Sequence, residues 1–148
     1  MQVGHKLFNL TQANKAFFGK KDAQQLLIIQ QMVEDLFLPI EIIPCPIVRT
    51  QEGLALSSRN AYLTKEGKKE ALKISQSLNT ATKMIMKGEI ESAKIKQAAL
   101  ETLKGLEVEY FVIVDKHLQE IPKIQKNSTL ILVVAKVEGV RLLDNLWL

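Results

Sequence analysis

The chain has 148 residues, the length of one ordinary domain, and 47% of them are apolar, which suits a packed core and excludes a disordered segment. Lys and Arg number 20 against 16 Asp and Glu, and the resulting +4 mildly favours anionic ligands. The lysines lie among glutamates along predicted helices, so the charge does not argue for nucleic acid, and no apolar run approaches the roughly 20 residues that cross a membrane. A single cysteine, Cys45, excludes an internal disulfide framework and fits a reducing, cytoplasmic setting.

Taken in chain order, residues 16–18 form an apolar run that stops at Gly19 and reads as the end of a buried strand. Residues 22–36 place Leu26, Ile29, Met32, Val33 and Leu36 on one helical face. The stretch LPIEIIPCPIV, residues 38–48, reads as a second strand around Ile40, Ile42 and Ile43. Strand, helix, strand is a βαβ crossover and implies parallel pairing. Pro44 and Pro46 stiffen the exit and forbid a helix there, which puts a hinge near residues 46–50.

In GLALSSRNAYLT, residues 53–64, Leu54 and Leu56 alternate as in a half-buried strand before the polar island Ser57, Ser58, Arg59 and Asn60. Thr64 is placed to cap a helix over 65–87 with Leu72, Ser75, Leu78, Ala81 and Ile85 on one face and Gly88 as the stop. A second helix reaches about residue 104, with Ile95, Ala99 and Leu103 spaced by four and Gly105 beyond. Strands follow over 108–115, 129–137 and 140–145, the last two joined at Glu138-Gly139, which suits a tight hairpin. The expected class is α/β plus α+β, divided into residues 1–48 and 49–148. One βαβ unit leaves two parallel strands uncovered, whereas parallel sheets normally have more strands and both faces covered. The expectation is therefore the C-terminal part of a longer protein, or strands supplied by another chain.

Two segments carry candidate chemistry. In FFGKKDAQQL, residues 17–26, Lys20 and Lys21 precede the positive end of a helix, which a bound phosphate or carboxylate would reconcile. Asp22 is either the N-cap or an acceptor for ribose hydroxyls. Gln25, one turn from Lys21, reads as a solvated first-turn residue or a member of the same site. In the second segment, SSRN reads on composition as a polar turn. The alternative is an oxyanion cradle, with serine donors and the planar fork of Arg59 on phosphate oxygens. His5 and His117 have no partners at metal-ligand spacing, and no metal site is expected. Phe17, Phe18 and the helical methionines read as core.

Together KLFNL at 6–10, FFGKKDAQQL, PCPIVR at 44–49, GLALSSRNAYL and the closing RLLDN at 141–145 resemble the pantoate–β-alanine ligase (pantothenate synthetase) family. The resemblance implies the end of a Rossmann-like nucleotidyltransferase domain followed by a lid domain with helices and a three-stranded antiparallel sheet. It also implies an ATP-dependent acid–amine ligase that joins pantoate and β-alanine through pantoyl adenylate. The family's His-x-Gly-His motif is not in this chain, so the isolated chain is expected to be inactive. By resemblance, Gly19 and Asp22 meet the ribose, Lys21 the phosphates and Gln25 pantoate. Val48 and Leu56 hold adenine through backbone atoms, and Ser57, Ser58 and Arg59 take the triphosphate, with Lys21, Ser57, Ser58 and Arg59 as catalytic groups. Mg2+ is expected with ATP, and a homodimer for the complete enzyme. The competing expectation is a non-catalytic nucleotide-binding or protein-interaction module.

Overall fold

The computed structural model describes residues 2–148 and divides into two units, Met1–Ile47 and Val48–Leu148. In the first unit, α1 (Gln2–Thr11) is followed by β1 (Lys15–Gly19), α2 (Ala23–Asp35) and β2 (Glu41–Cys45). The two strands pair in parallel, with Phe17 opposite Ile43 and Gly19 opposite Cys45. The expected crossover is therefore present. Ala23, Leu26, Ile29 and Met32 are the buried positions of α2, at helical spacing. Val33 is half-buried, and Leu36 lies just past the last turn and is exposed.

The sequence reading did not foresee α1. None of its described side chains is buried, and Val3, Leu7 and Leu10 all face solvent. Its inner side is marked by Gly4, where an added Cβ would come within 3.3 Å of Ile29 on α2, and by Phe8, whose ring meets Phe18 edge-on at 6.3 Å. Phe17 was expected in the core and is 68% exposed. Strand side chains alternate between faces, so covering the Phe18 face leaves Phe17 on the open one. Pro44 pairs with Phe18 inside β2, a position available to proline only where a strand edge needs no donor. Cys45 is half-buried within that strand rather than buried beside it.

The second unit has a conventional core. Helices α3 (Lys65–Met86) and α4 (Ser92–Thr102) pack on an antiparallel sheet of β3 (Glu107–Val114), β4 (Leu130–Val137) and β5 (Val140–Trp147), in the order β3-β4-β5. Ala71, Ile74, Leu78 and Ala81 of α3 join Ile95 and Ala99 of α4, Leu103, and Phe111, Ile131, Val133 and Leu142 of the sheet. Leu72 and Ile85, expected on the buried face of α3, sit at its margin, and Met86 is 82% exposed. Glu138 and Gly139 form the β4–β5 turn with φ of 51° and 75°, the left-handed pair that a two-residue hairpin requires.

Candidate functional site

Each unit carries one group of the sequence-derived candidates. In the first unit, β1 ends at Gly19 and the backbone N–H of Lys20 donates to Cys45 O at 2.8 Å. The turn carrying Lys20 and Lys21 is thereby tied to the end of β2 just before α2 begins. Asp22 is the N-cap of α2, and its Oδ1 accepts from the Gln25 N–H at 3.4 Å. Of its two readings, the capping contact is thus observed. Asp22 and Gln25 line a groove of about 590 Å³ with Val3, Leu7, Phe18 and Ile28, so polar groups at a helix start face an apolar wall. That combination suits a small ligand carrying both polar and apolar groups.

In the second unit, residues 48–56 do not form the strand suggested by Leu54 and Leu56. They make a narrow loop. Thr50 N–H donates to Leu54 O at 2.8 Å, Leu56 N–H to Val48 O at 2.9 Å, and Gly53 takes φ of 101° at the bend. Leu54 and Ala55 are buried, whereas Leu56 is exposed, so the alternation breaks where the polar island starts. Ser57 then caps a five-residue 3₁₀ helix, Ser58–Tyr62, its Oγ accepting the Arg59 N–H at 3.3 Å. Asn60 Nδ2 donates to Ala55 O at 3.1 Å and draws this helix back onto the loop.

Leu63 returns the chain to the core, and Leu54 and Leu63 belong to the same buried cluster. The SSRN segment is therefore more ordered than the composition-based polar turn: it is a short helical span between two core anchors. Ser58 and Arg59 are exposed on it, and Arg59 Nη1 donates to Arg141 O of β5 at 3.3 Å. Beyond Leu63, the Glu138 carboxylate accepts from Thr64 N–H at 2.9 Å and from Thr64 Oγ1, which in turn accepts the Gly67 N–H. These hydrogen bonds hold the Glu138 carboxyl below the usual glutamate range, the hydroxyl contact contributing most.

Sequence reasoning missed the pair that holds the loop from below. Arg49 Nη1 and Nη2 bond Asp144 Oδ2 and Oδ1 at 2.6 and 2.9 Å, and Nη1 also donates to Gly53 O at 3.1 Å. The Asp144 side chain is 3% exposed. The one acidic residue of β5, directly after the apolar pair Leu142-Leu143, was the available signal. His5 bonds Asn9 one turn along α1, and His117 is exposed. Among the described residues no three His, Cys, Asp or Glu gather as a metal site would require, and no helix is long and apolar enough to cross a membrane.

Residues 1–147 match the family model described as pantoate-beta-alanine ligase. The chain is 59% identical over its whole length to the pantothenate synthetase of Wolinella succinogenes, of which it covers 54%, and 50% identical over 147 residues to that of Helicobacter pylori, of which it covers 53%. A crystal structure of the Thermus thermophilus enzyme superposes with a TM-score of 0.91 at 35% identity, covering 98% of this chain and 53% of that one. The Francisella tularensis ligase, in complex with beta-gamma ATP and beta-alanine, gives a TM-score of 0.65 at 30% identity, covering 98% of this chain and 48% of that one. The chain thus spans about half the length of the curated relatives it matches. With sequence and fold in agreement along nearly all of its residues, the chain belongs to the pantoate–β-alanine ligase family.

Proposed function

We propose that this chain forms the C-terminal half of a pantothenate synthetase, which joins pantoate to β-alanine with ATP. In this reading residues 1–48 close a Rossmann-like nucleotide-binding domain and residues 49–148 form its lid. The observation that carries it is the Ser57-Ser58-Arg59 strip, half-buried at Ser57 and exposed at Ser58 and Arg59, held between buried Leu54 and Leu63. Family membership and the ligands of the Francisella enzyme support the same substrates.

The pantoate carboxylate attacks the α-phosphorus, the bond to the bridging oxygen breaks, and pyrophosphate leaves. The β-alanine amine then attacks the acyl carbon, loses a proton and expels AMP. The first step moves negative charge onto the departing pyrophosphate and the second onto the phosphate of AMP, and neither needs a protein nucleophile, so positioned cations and donors carry the rate. Lys21, Ser57, Ser58 and Arg59 supply these. Gln25 binds pantoate, whose geminal methyl groups suit the apolar wall of the groove. Gly19 and Asp22 contact the ribose. Val48 and Leu56 contact adenine, and because the Leu56 N–H already bonds Val48 O, the remaining backbone groups make that contact. Mg2+ enters as the counter-ion of ATP, held by phosphate oxygens and water. The complete enzyme acts as a cytoplasmic homodimer, and the isolated chain is inactive.

The second reading, a non-catalytic interaction module, is favoured by one observation, the exposed apolar side chains Val3, Leu7, Leu10 and Phe17. One experiment separates the two. ATP–pyrophosphate exchange dependent on pantoate is measured for the 148-residue chain and for the same chain joined to the N-terminal half of the Wolinella succinogenes enzyme. Exchange by the joined protein alone is the expected result. Equal turnover by the isolated chain would overturn its inactivity. A folded joined protein without nucleotide affinity would favour the interaction module.

A further inference from the structure

We propose that Arg49 and Asp144 are positioning residues for the Ser57–Arg59 strip, an inference that rests on the phosphate-binding role given to that strip above. The loop over 48–56 is a two-stranded turn with few backbone bonds of its own, and such a hairpin is marginal alone. Its register relative to the sheet has to come from side chains.

The Arg49 fork joins three places at once: its own strand of the loop, the carbonyl of Gly53 at the bend, and both oxygens of Asp144 on β5. Asp144 Oδ1 also accepts the Asn145 N–H at 2.8 Å, so the carboxylate is fixed before Arg49 reaches it. A carboxylate this buried needs such partners to offset its lost hydration. Three residues back along β5, the carbonyl of Arg141 accepts Nη1 of Arg59. The strand thus meets the segment at two points about 10 Å apart at strand rise, one below the loop and one at the arginine that would meet phosphate. Leu54 and Leu63 set the depth of the strip, and hydrophobic contact does not select an orientation. The directional hydrogen bonds to β5 supply it.

The test has two readouts. In the 148-residue chain, amide exchange is followed at Leu56, Arg59 and Asn60, whose N–H groups bond Val48 O, Ser57 Oγ and Ser57 O. In the joined protein, kcat and KM for ATP and pantoate are measured for adenylate formation. Arg49→Lys keeps the charge and loses the fork. Arg49→Met with Asp144→Leu replaces the pair by apolar groups, which commonly preserves stability. Both variants are expected to speed exchange at the three amides and not in α3. Both are expected to lower kcat about 10- to 100-fold, the scale of a displacement near 1 Å, with pantoate KM and the melting midpoint close to the parent's. Exchange unchanged at those amides, or kcat within about twofold of the parent in both variants, overturns the proposal. If the joined protein is inactive with Arg49 and Asp144 intact, the functional reading fails, and the exchange measurement still decides whether the pair orients the strip.

Discussion

At the scale of single residues, the structure separates groups that hold the strip from groups that face solvent on it. Arg59 is exposed and makes one 3.3 Å bond to Arg141 O, so its removal disturbs little packing. In the joined protein, Arg59→Ala is expected to slow adenylate formation by about 100-fold or more, as for loss of a transition-state donor. The melting midpoint should move by no more than an exposed substitution allows, roughly 0.5 kcal/mol. Lys21→Ala is expected to slow the same step. A stability loss large enough to account for the missing rate would defeat both expectations.

Glu138 belongs to the holding group. Its carboxyl is depressed by Thr64, first through the hydroxyl and then through the N–H, so the contact stabilises the folded state fully above the ordinary glutamate pKa. That contribution disappears as pH falls through the lowered folded-state value. Glu138→Gln should therefore lower the melting midpoint at neutral pH and match the parent in strong acid. A constant difference across the acid range would show that the charge is not involved.

At the scale of elements, the start of α3 is a joint between helix and hairpin. Gly67 sits in the first turn, and a Cβ there would fall on the Glu138 carboxylate. Alanine elsewhere in a helix is worth about 1 kcal/mol over glycine. Gly67→Ala should therefore stabilise a Glu138→Ala background and give less, or destabilise, when Glu138 is present. A double-mutant cycle read by denaturant unfolding is expected to return a coupling of about 0.5–3 kcal/mol, and strict additivity would remove the joint. Thr64 as a helix cap was readable from sequence, because a threonine before a charged helical run has few other uses. Its second partner was not, since Glu138 lies 74 residues away.

At the scale of the whole molecule, the two units differ in how completely they bury themselves. The second encloses a core from Leu54 to Leu142, whereas the first leaves Val3 72%, Leu10 81% and Phe17 68% exposed. Large apolar side chains this exposed on a small unit are candidates for burial against another surface. A hydrophobic dye should bind the 148-residue chain and lose most of that signal when the N-terminal half of a relative is joined to it. Equal dye binding by both proteins would mean that the added half leaves these side chains uncovered.

Local pattern alone determined the order of β1, α2, β2, α3, α4 and β3 to β5, the parallel crossover, the hairpin at Glu138-Gly139 and the segments that resemble the ligase family. Apolar period, turn chemistry and short motifs are properties of neighbouring residues, and these elements follow from them. The first helix escaped because Val3, Leu7 and Leu10 lie on its exposed side, so its apolar period did not mark a core. The polar island was visible as a stretch of residues, but not as a helical span between Leu54 and Leu63. Its form depends on a core shared with α3 and the sheet. Only tertiary structure paired Arg49 with Asp144, 95 positions apart. A buried charge finds its partner through the fold of the whole unit, and no local period records that choice.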